Sequence, residues 1–187
     1  MKAHVDATSL PDPARAHGGL VFLSTWSTGT PERQRAAVEA IAAAWGSRPW
    51  PHEGLLSYTV YAGADGSTLA HRSHWRDEAA YQEFFAHSRD ERNAEIDEAV
   101  PGIERLGLRK TRLRDGVARA AGDDRVAGAI VITEGEDADP QTAPGLISRH
   151  FHVTTDGERV ISYAEWESGE GLPVAGTYRL ACAIVPR

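Results

Sequence analysis

The sequence contains very little cysteine and lysine. Cys182 is the only cysteine among 187 residues, so no disulfide can form within the chain and nothing indicates an oxidising compartment. Lys2 and Lys110 are the only lysines, and the 20 basic residues are outnumbered by 27 acidic ones. The formal net charge of −7 argues against nucleic acid and membrane partners, because both bind through clustered Lys and Arg.

Long apolar runs are also missing. No stretch has the length of a membrane span, and the first residues carry no apolar signal segment, so we expect a cytoplasmic protein. Apolar residues make up 41% of the chain and charged residues 25%, as in ordinary globular proteins. There is no Gly-rich phosphate loop, no pair of catalytic carboxylates and no Cys-based site.

The first part of the chain alternates between strand and helix patterns. Apolar periodicity, caps and breakers predict, in order, a strand, a helix, a hairpin, a helix broken near Ser88 and a last strand. These elements cover Leu20–Trp26, Glu32–Trp45, Leu55–Tyr61 with Thr68–Trp75, Asp77–Ala99 and Leu106–Leu113. The order β-α-β-β-α-β is the ferredoxin-like arrangement, so the predicted fold class is α+β.

The second part repeats the hairpin of the first. Gly54-Leu55-Leu56-Ser57, Asp65-Gly66 and Trp75 recur as Gly145-Leu146-Ile147-Ser148, Asp156-Gly157 and Trp166, each 91 residues later. Strands are also predicted at Ala129–Thr133 and Thr177–Val185. We interpret the chain as a leader (1–18), a full ferredoxin-like repeat (19–116), a linker (117–125) and a degenerate second repeat (126–187) that together form a pseudo-dimer.

The second repeat is predicted to have lost most of both helices of the first. Its sheet would then have an uncovered face, which either meets water or contacts another subunit, as in a homodimer. Residues Ser148, His150, His152 and Thr154 alternate with apolar ones, so one face of that strand is polar. This pattern predicts that the polar face lies in water.

The segment from Gly19 to Gly116 resembles the antibiotic biosynthesis monooxygenase family of dimeric α/β-barrel proteins. The resemblance is carried by VFLSTW at 21–26, GLLSYTV at 54–60, Trp75, DEAAY at 77–81 and PGIE at 101–104. It implies that two ferredoxin-like units pair into a barrel. Members include cofactor-independent oxygenases that convert polyketide phenols or anthrones into quinones, haem-degrading enzymes, and proteins without demonstrated activity.

The resemblance also implies a pocket. Oxygenase members carry a Trp and a Tyr at the six-residue separation of Trp75 and Tyr81, which places both residues at the site. On the strand that ends at Trp75, alternation puts His71, Ser73 and Trp75 on one face, and we favour this face as the cavity wall. Trp26 and Tyr58 would complete an aromatic wall for the substrate. The Asn and the helical Arg expected in oxygenases have no clear match here.

In this interpretation His71 is the base or a hydrogen-bond donor to the phenol, and Trp75 positions the ring. Each residue also has a structural explanation. Trp75 can plug the junction between strand and helix, His71 can be an ordinary hydrogen-bonded strand residue, and Tyr81 can belong to the core.

Haem and metal sites are less favoured. Haem-degrading relatives place an axial His about ten residues after the Trp, where this chain has Phe84 and Phe85, and His87 lies on another helix face. His150 and His152 share one strand face at a spacing that metal sites use, but no His follows them. We therefore predict no metal and no cofactor.

The resemblance thus implies a cofactor-independent oxygenase whose partners are a small polycyclic aromatic substrate and O2. A cyclase or isomerase on the same scaffold and a binding protein without chemistry are the alternatives.

Overall fold

The structure, a computed structural model, describes residues 1–6, 11, 19–135 and 143–187. In this part of the chain the elements are β1 (Ala3–Asp6), β2 (Leu20–Ser27), α1 (Pro31–Gly46), β3 (Leu55–Gly63), β4 (Thr68–Trp75), α2 (Glu78–His87), α3 (Arg89–Ala99), β5 (Glu104–Val117), β6 (Ala129–Glu134), β7 (Leu146–Thr154), β8 (Val160–Trp166) and β9 (Thr177–Pro186). The mostly antiparallel sheet with helices confirms the α+β class. Within the described residues, no helix is long and apolar enough to cross a membrane.

The helices begin where side chains satisfy free backbone N–H groups. The Thr30 hydroxyl accepts a hydrogen bond from the Arg33 N–H at 3.3 Å, and Pro31 occupies the first turn of α1. The Asp77 carboxylate accepts one from the Ala80 N–H at 2.8 Å and so caps α2. The break between α2 and α3 falls at Ser88, as the sequence predicts.

The sheet closes on itself. Its strand order is β1-β9-β3-β4-β2-β5-β7-β8-β6, and β9 also pairs with β6 through Ile130 with Tyr178 and Val131 with Thr177. Eight strands, β2 to β9, therefore form a ring, and β1 pairs only with β9. Numbered in chain order, the groups β2–β5 and β6–β9 each have the order 4-1-3-2, read in the same direction around the ring.

The closed sheet has an outer and an inner face with different packing. Helices α1, α2 and α3 cover the outer face of β2, β3 and β4, where the main core forms around Phe22, Ile41 and Trp75. Inside the ring, Tyr61, Ile130 and Tyr163 belong to a second cluster, and Val21, Leu23 and Ile161 form a third. Residues on β4 alternate between these two environments, because side chains of a strand point to opposite faces in turn.

The polar face of β7 does not lie in water, so that prediction is wrong. Ser148, His150, His152 and Thr154 are all buried, and their strand neighbours pack around the inside of the ring. The physical reason is closure. Once β5 pairs with β7 and β9 pairs with both β3 and β6, the other strands of the ring enclose the inner face of β7, whatever its polarity.

The predicted leader and the two positions of the predicted lost helices can be compared with the structure only in part. The predicted leader, 1–18, contains strand β1, while residues 7–10 and 12–18 lie outside the described residues. Residues 167–176 contain no helix, as expected for the second repeat. Residues 136–142, in the other position where a helix is predicted to be lost, lie outside the described residues.

Candidate active site

A cavity of about 310 Å³ lies between the outer face of the sheet and helices α2 and α3. Its volume is at the lower end of the range for small-molecule pockets, about 300–1,000 Å³. Most of the wall is aromatic. The aromatic lining residues are Phe22, Trp26, Trp45, Tyr58, Trp75, Tyr81, Phe84 and Phe85. Such a wall favours a flat aromatic ligand, because ring contacts add to the burial of apolar area.

Trp75 and Tyr81 lie together on one side of the cavity. Their rings meet edge to face with centroids 5.4 Å apart, and Phe84 packs 5.3 Å from Trp75. The Trp75 Nε1–H donates to the Ser73 hydroxyl at 2.8 Å, which fixes the indole ring on β4. Strand alternation accounts for this arrangement, because Ser73 and Trp75 are two positions apart and face the helices together.

His71 packs against the rings of Tyr58 and Trp26 on the sheet side of the cavity. The Tyr58 hydroxyl lies 2.7 Å from Nδ1 of His71, and the two rings are nearly parallel. The His71 ring is 4.2 Å from Trp26, centroid to centroid. Burial, and to a lesser extent the charge of Arg105, lowers the pKa of His71 to about 3, so the imidazole is neutral at pH 7. Burial raises the pKa of the Tyr58 phenol.

The environment of Nε2 of His71 decides which group donates in the hydrogen bond between Tyr58 and His71. Nε2 of His71 is buried and has no partner among the described residues. A buried N–H without a partner is rarer in proteins than a buried acceptor without one, so we assign the proton to Nδ1. His71 then donates to the Tyr58 oxygen, and the Tyr58 hydroxyl hydrogen is free to point into the cavity.

The charged side chains that line the cavity are all cationic. In the part of the chain that the structure describes, they are Arg89, Arg92 and Arg105, and neither Asp nor Glu is among the lining residues. The guanidinium carbon of Arg92 lies 5.1 Å from the centroid of the Trp45 ring, and that of Arg105 lies 4.7 Å from the centroid of Trp26. Arg89 and Arg105 have carboxylate partners in Asp90 and Asp97, whereas no ion pair with a carboxylate is formed by Arg92 among the described residues.

Arg92 is the most buried of the three. Its side chain donates to the carbonyl oxygens of Ser88 at 3.0 Å and Pro49 at 2.8 Å, while Nε has no partner among the described residues. Arg105 is held by Asp97, with Nη2 3.0 Å from one carboxylate oxygen. Both guanidinium groups are therefore fixed in place before any ligand arrives.

Five of the six residues predicted for the site line the cavity. These are Trp26, Tyr58, Ser73, Trp75 and Tyr81. The sixth, His71, is not a lining residue and lies behind Tyr58 and Trp26. Their chemical roles stay predictions.

Sequence reasoning missed the arginines, Asn93 and Trp45 of the lining. The spacing of residues on α3 could have indicated that one face of this helix lines the cavity. Positions 89, 92, 93 and 96 recur at helical spacing and hold Arg89, Arg92, Asn93 and Ile96. Arginines on an otherwise polar helix gave no reason to expect burial.

Phe84 and Phe85, at the position where the resemblance predicts a haem ligand, both line the cavity, and His87 does not. Among the described residues, no group of three or more His, Cys, Asp or Glu is arranged to hold a metal ion. His150 and His152 are buried in the interior of the ring, and the Ser148 hydroxyl lies 3.2 Å from Nε2 of His150.

The chain is similar in structure to proteins of known coordinates. It superimposes on an anthrone oxidase-like protein with a TM-score of 0.63 and 16% identity, over 96% of this chain and 95% of that one. A candidate monooxygenase from Lactobacillus acidophilus NCFM gives 0.55 and 10% identity, over 88% and 94% of the two chains. A candidate monooxygenase from Fusobacterium nucleatum subsp. nucleatum superimposes with a TM-score of 0.53 and 9% identity, over 90% of this chain and 94% of that one.

No protein-family model and no curated protein sequence matches the chain. At these identities the structural likeness shows the fold alone. The chain therefore shares the ferredoxin-like α+β fold of the anthrone oxidase-like protein and the candidate monooxygenases.

Proposed function

We propose that the chain is a cofactor-independent oxygenase that converts a polycyclic aromatic phenol or anthrone, bound as its anion, into a quinone. The observation that carries the proposal is a cavity with an aromatic wall whose charged lining residues, in the described part of the chain, are all arginines. The structural likeness to an anthrone oxidase-like protein supports the same reaction class.

The proposed reaction needs a stabilised anion more than it needs a strong base. An anthrone methylene or phenol loses a proton to give a resonance-stabilised anion, and a nearby guanidinium lowers the free energy of that anion. A pKa near 3 makes His71 a poor proton acceptor at neutral pH. We therefore assign anion stabilisation to Arg92 and Arg105, and the leaving proton to water at the cavity mouth.

The remaining steps use O2 as the oxidant. The anion carbon donates an electron pair to O2 overall, a C–O bond forms, and protonation gives a carbon-bound hydroperoxide. Loss of water from this hydroperoxide leaves the quinone carbonyl, so one oxygen atom enters the product and the other leaves as water. The apolar wall holds O2 and excludes bulk water during these steps.

Tyr58 and Trp75 are assigned to orientation. The Tyr58 hydroxyl, with its oxygen accepting from His71, donates to the substrate oxygen, and His71 is a positioning residue that sets this direction. Trp75, fixed by Ser73, stacks against the substrate ring. These assignments place a hydrogen-bond donor and a ring plane in the wall of one cavity.

We also propose that the chain is a tandem member of the antibiotic biosynthesis monooxygenase family, formed by duplication. The support is the 91-residue offset in the sequence and the strand order 4-1-3-2 in both groups of four strands. The pairings of β5 with β7 and of β9 with β3 then join the two copies in equivalent ways.

The test is quinone formation from anthrone by the purified chain, followed by absorbance. Trp75→Leu and His71→Asn should each lower kcat/KM by about tenfold or more, since each loses a positioning contact. Arg105→Met should lower it by a similar factor, whereas Arg105→Lys should retain part of the activity because it keeps the charge. Arg35→Met, which removes an exposed charge far from the cavity lining, is the control.

Unaltered turnover in both the Trp75 and the His71 variants would contradict the proposed site. Conversion of the substrate without oxygen consumption would instead indicate a cyclase or isomerase. Tight binding of anthrone without any conversion would indicate a binding protein on the same scaffold.

A further inference from the structure

The inside of the closed sheet contains a polar cluster that the proposed reaction does not use. It lies on the face of β4 opposite the cavity, toward the end of the ring where β3 and β7 begin. We call it the inner cluster. Its buried members are Ser57, Thr59, Arg72, His74, Ser148, His150, His152 and Glu165. The interior of an eight-stranded closed sheet is just wide enough to be filled by side chains, so polar groups here need partners.

Arg72 is the charged centre of the inner cluster. Its side chain is 1% exposed, and neither Nε nor Nη2 has a hydrogen-bond partner among the described residues. The guanidinium carbon lies 5.7 Å from the centroid of the Tyr163 ring. A guanidinium that is removed from water without an acceptor is strongly destabilising, because it loses hydration and gains no hydrogen bond.

The carboxylate of Glu165 does not neutralise Arg72. One of its oxygens accepts from the Ser148 hydroxyl at 2.8 Å and lies 3.3 Å from Nη2 of Arg119. Among the described residues, no carboxylate lies within ion-pair distance of Arg72, whereas Glu165 already has a cation of its own. The guanidinium of Arg72 therefore has no carboxylate in direct contact among the described residues.

Two histidines beside Arg72 also lack partners. Neither ring nitrogen of His152 has a hydrogen-bond partner among the described residues, and the same holds for Nε2 of His74. Burial, together with the charge of Arg72, lowers the pKa of His152 to about 3 and that of His74 to about 4. Both rings are neutral at pH 7, so His152 holds one N–H donor that is not satisfied.

We propose that the inner cluster binds a small monovalent anion, of the size of bromide or nitrate, that accepts hydrogen bonds from Arg72 and His152. A single negative charge balances the guanidinium of Arg72, which has no carboxylate in direct contact among the described residues. A small ion is required because the site is enclosed by eight strands and bordered by the fully buried rings of Tyr61 and Tyr163. Charge-assisted hydrogen bonds to guanidinium and imidazole N–H groups are the interactions that hold such ions.

An anion bound in the inner cluster would stabilise strand β4, which also forms part of the cavity wall. Arg72 and His74 alternate along that strand with His71, Ser73 and Trp75, so an ion on the inner side stabilises the strand that carries the cavity wall. This inference does not depend on the proposed oxygenase reaction.

The first test is anomalous diffraction from crystals of the full chain grown or soaked in bromide. The proposal predicts an anomalous peak inside the ring, within hydrogen-bond distance of the Arg72 guanidinium and the His152 ring. Density that refines as water alone at this position, with no bromide peak, would overturn it, and this test needs no variant.

The second test is the thermal midpoint of unfolding as bromide replaces gluconate at constant ionic strength. Wild type should show a saturating rise, because an ion that binds only the folded state stabilises it. Arg72→Met should weaken the apparent bromide affinity by about tenfold or more through loss of its charged donors. Arg48→Met, which removes a cation at the protein surface, is the matched control and should keep the wild-type response.

A linear response that is the same in wild type and Arg72→Met would show a bulk salt effect and would contradict the proposal. If Arg72→Met does not fold, His152→Leu serves as the second variant, and the proposal predicts a weakened bromide response there too.

Discussion

The buried His71 predicts a specific loss of stability in acid. Its imidazole is 3% exposed and has a pKa of about 3 in the folded chain, against 6.5 for an unperturbed histidine. Below pH 6.5 the unfolded chain therefore binds a proton at this residue that the folded chain does not accept. Stability is fully present above pH 6.5 and falls as the pH is lowered toward 3.

The size of this effect follows from the pKa difference. Each pH unit between the two pKa values costs about 1.4 kcal/mol of unfolding free energy. Between pH 8 and pH 5 the wild type should lose about 2 kcal/mol at this one residue, a sizeable part of the roughly 5–15 kcal/mol that stabilises a typical domain. Two other buried histidines, His74 and His152, act with the same sign.

Urea unfolding of wild type and His71→Asn at pH 8 and pH 5 isolates the contribution of residue 71. The variant cannot titrate at this position, so its loss of stability between the two pH values should be smaller by about 2 kcal/mol. His87→Asn, a substitution of an exposed histidine on α2, is the control and should keep the wild-type loss. An equal loss in wild type and His71→Asn would refute the reasoning that burial keeps His71 neutral.

Two further substitutions probe the closure of the sheet and the donor in the cavity. A Cβ at Gly116 would lie 2.2 Å from the Arg149 carbonyl oxygen, so Gly116→Ala should destabilise the chain by about 1–3 kcal/mol in urea unfolding, whereas Gly135→Ala, with open space around it, should not. Equal stability of these two variants would contradict the pairing of β5 with β7. Tyr58→Phe should raise the Kd for an anthrone-like phenol by about fivefold or more in a fluorescence titration, because the hydroxyl is the proposed donor to the substrate. An unchanged Kd would remove Tyr58 from the binding site.

Local patterns predicted most of the secondary structure. Apolar alternation located β2, β3 and β4 to within two residues at each end, and the residues around Ser88 marked the break between two helices. These features depend on side chains close in sequence, which is why they are visible without coordinates. The same alternation put Ser73 and Trp75 on the face that lines the cavity.

The missed features depend on contacts between distant parts of the chain. Strand β1 has only four residues and no pattern of its own, and it exists through pairing with β9 near the opposite end of the sequence. Arg92 is a charged residue on a polar helix, and its burial follows from acceptors at Pro49 and Ser88. A local pattern does not contain such partners.

The inner cluster is a second case in which contacts between distant strands overturn a prediction from a local pattern. His150 and His152 form a polar strand face that normally indicates contact with water. Closure of the ring, which requires β9 to pair with both β3 and β6, reverses that expectation. Polarity along a strand indicates an exposed face only where the sheet is open.

The most direct test of the proposed function is an oxygen-electrode measurement with the purified, cofactor-free chain and anthrone. The account predicts consumption of one O2 for each quinone formed, with the rate lowered together in Trp75→Leu and Arg105→Met and unchanged in Arg35→Met. Quinone formation no faster than in buffer, or oxygen uptake that both cavity variants retain in full, would contradict it.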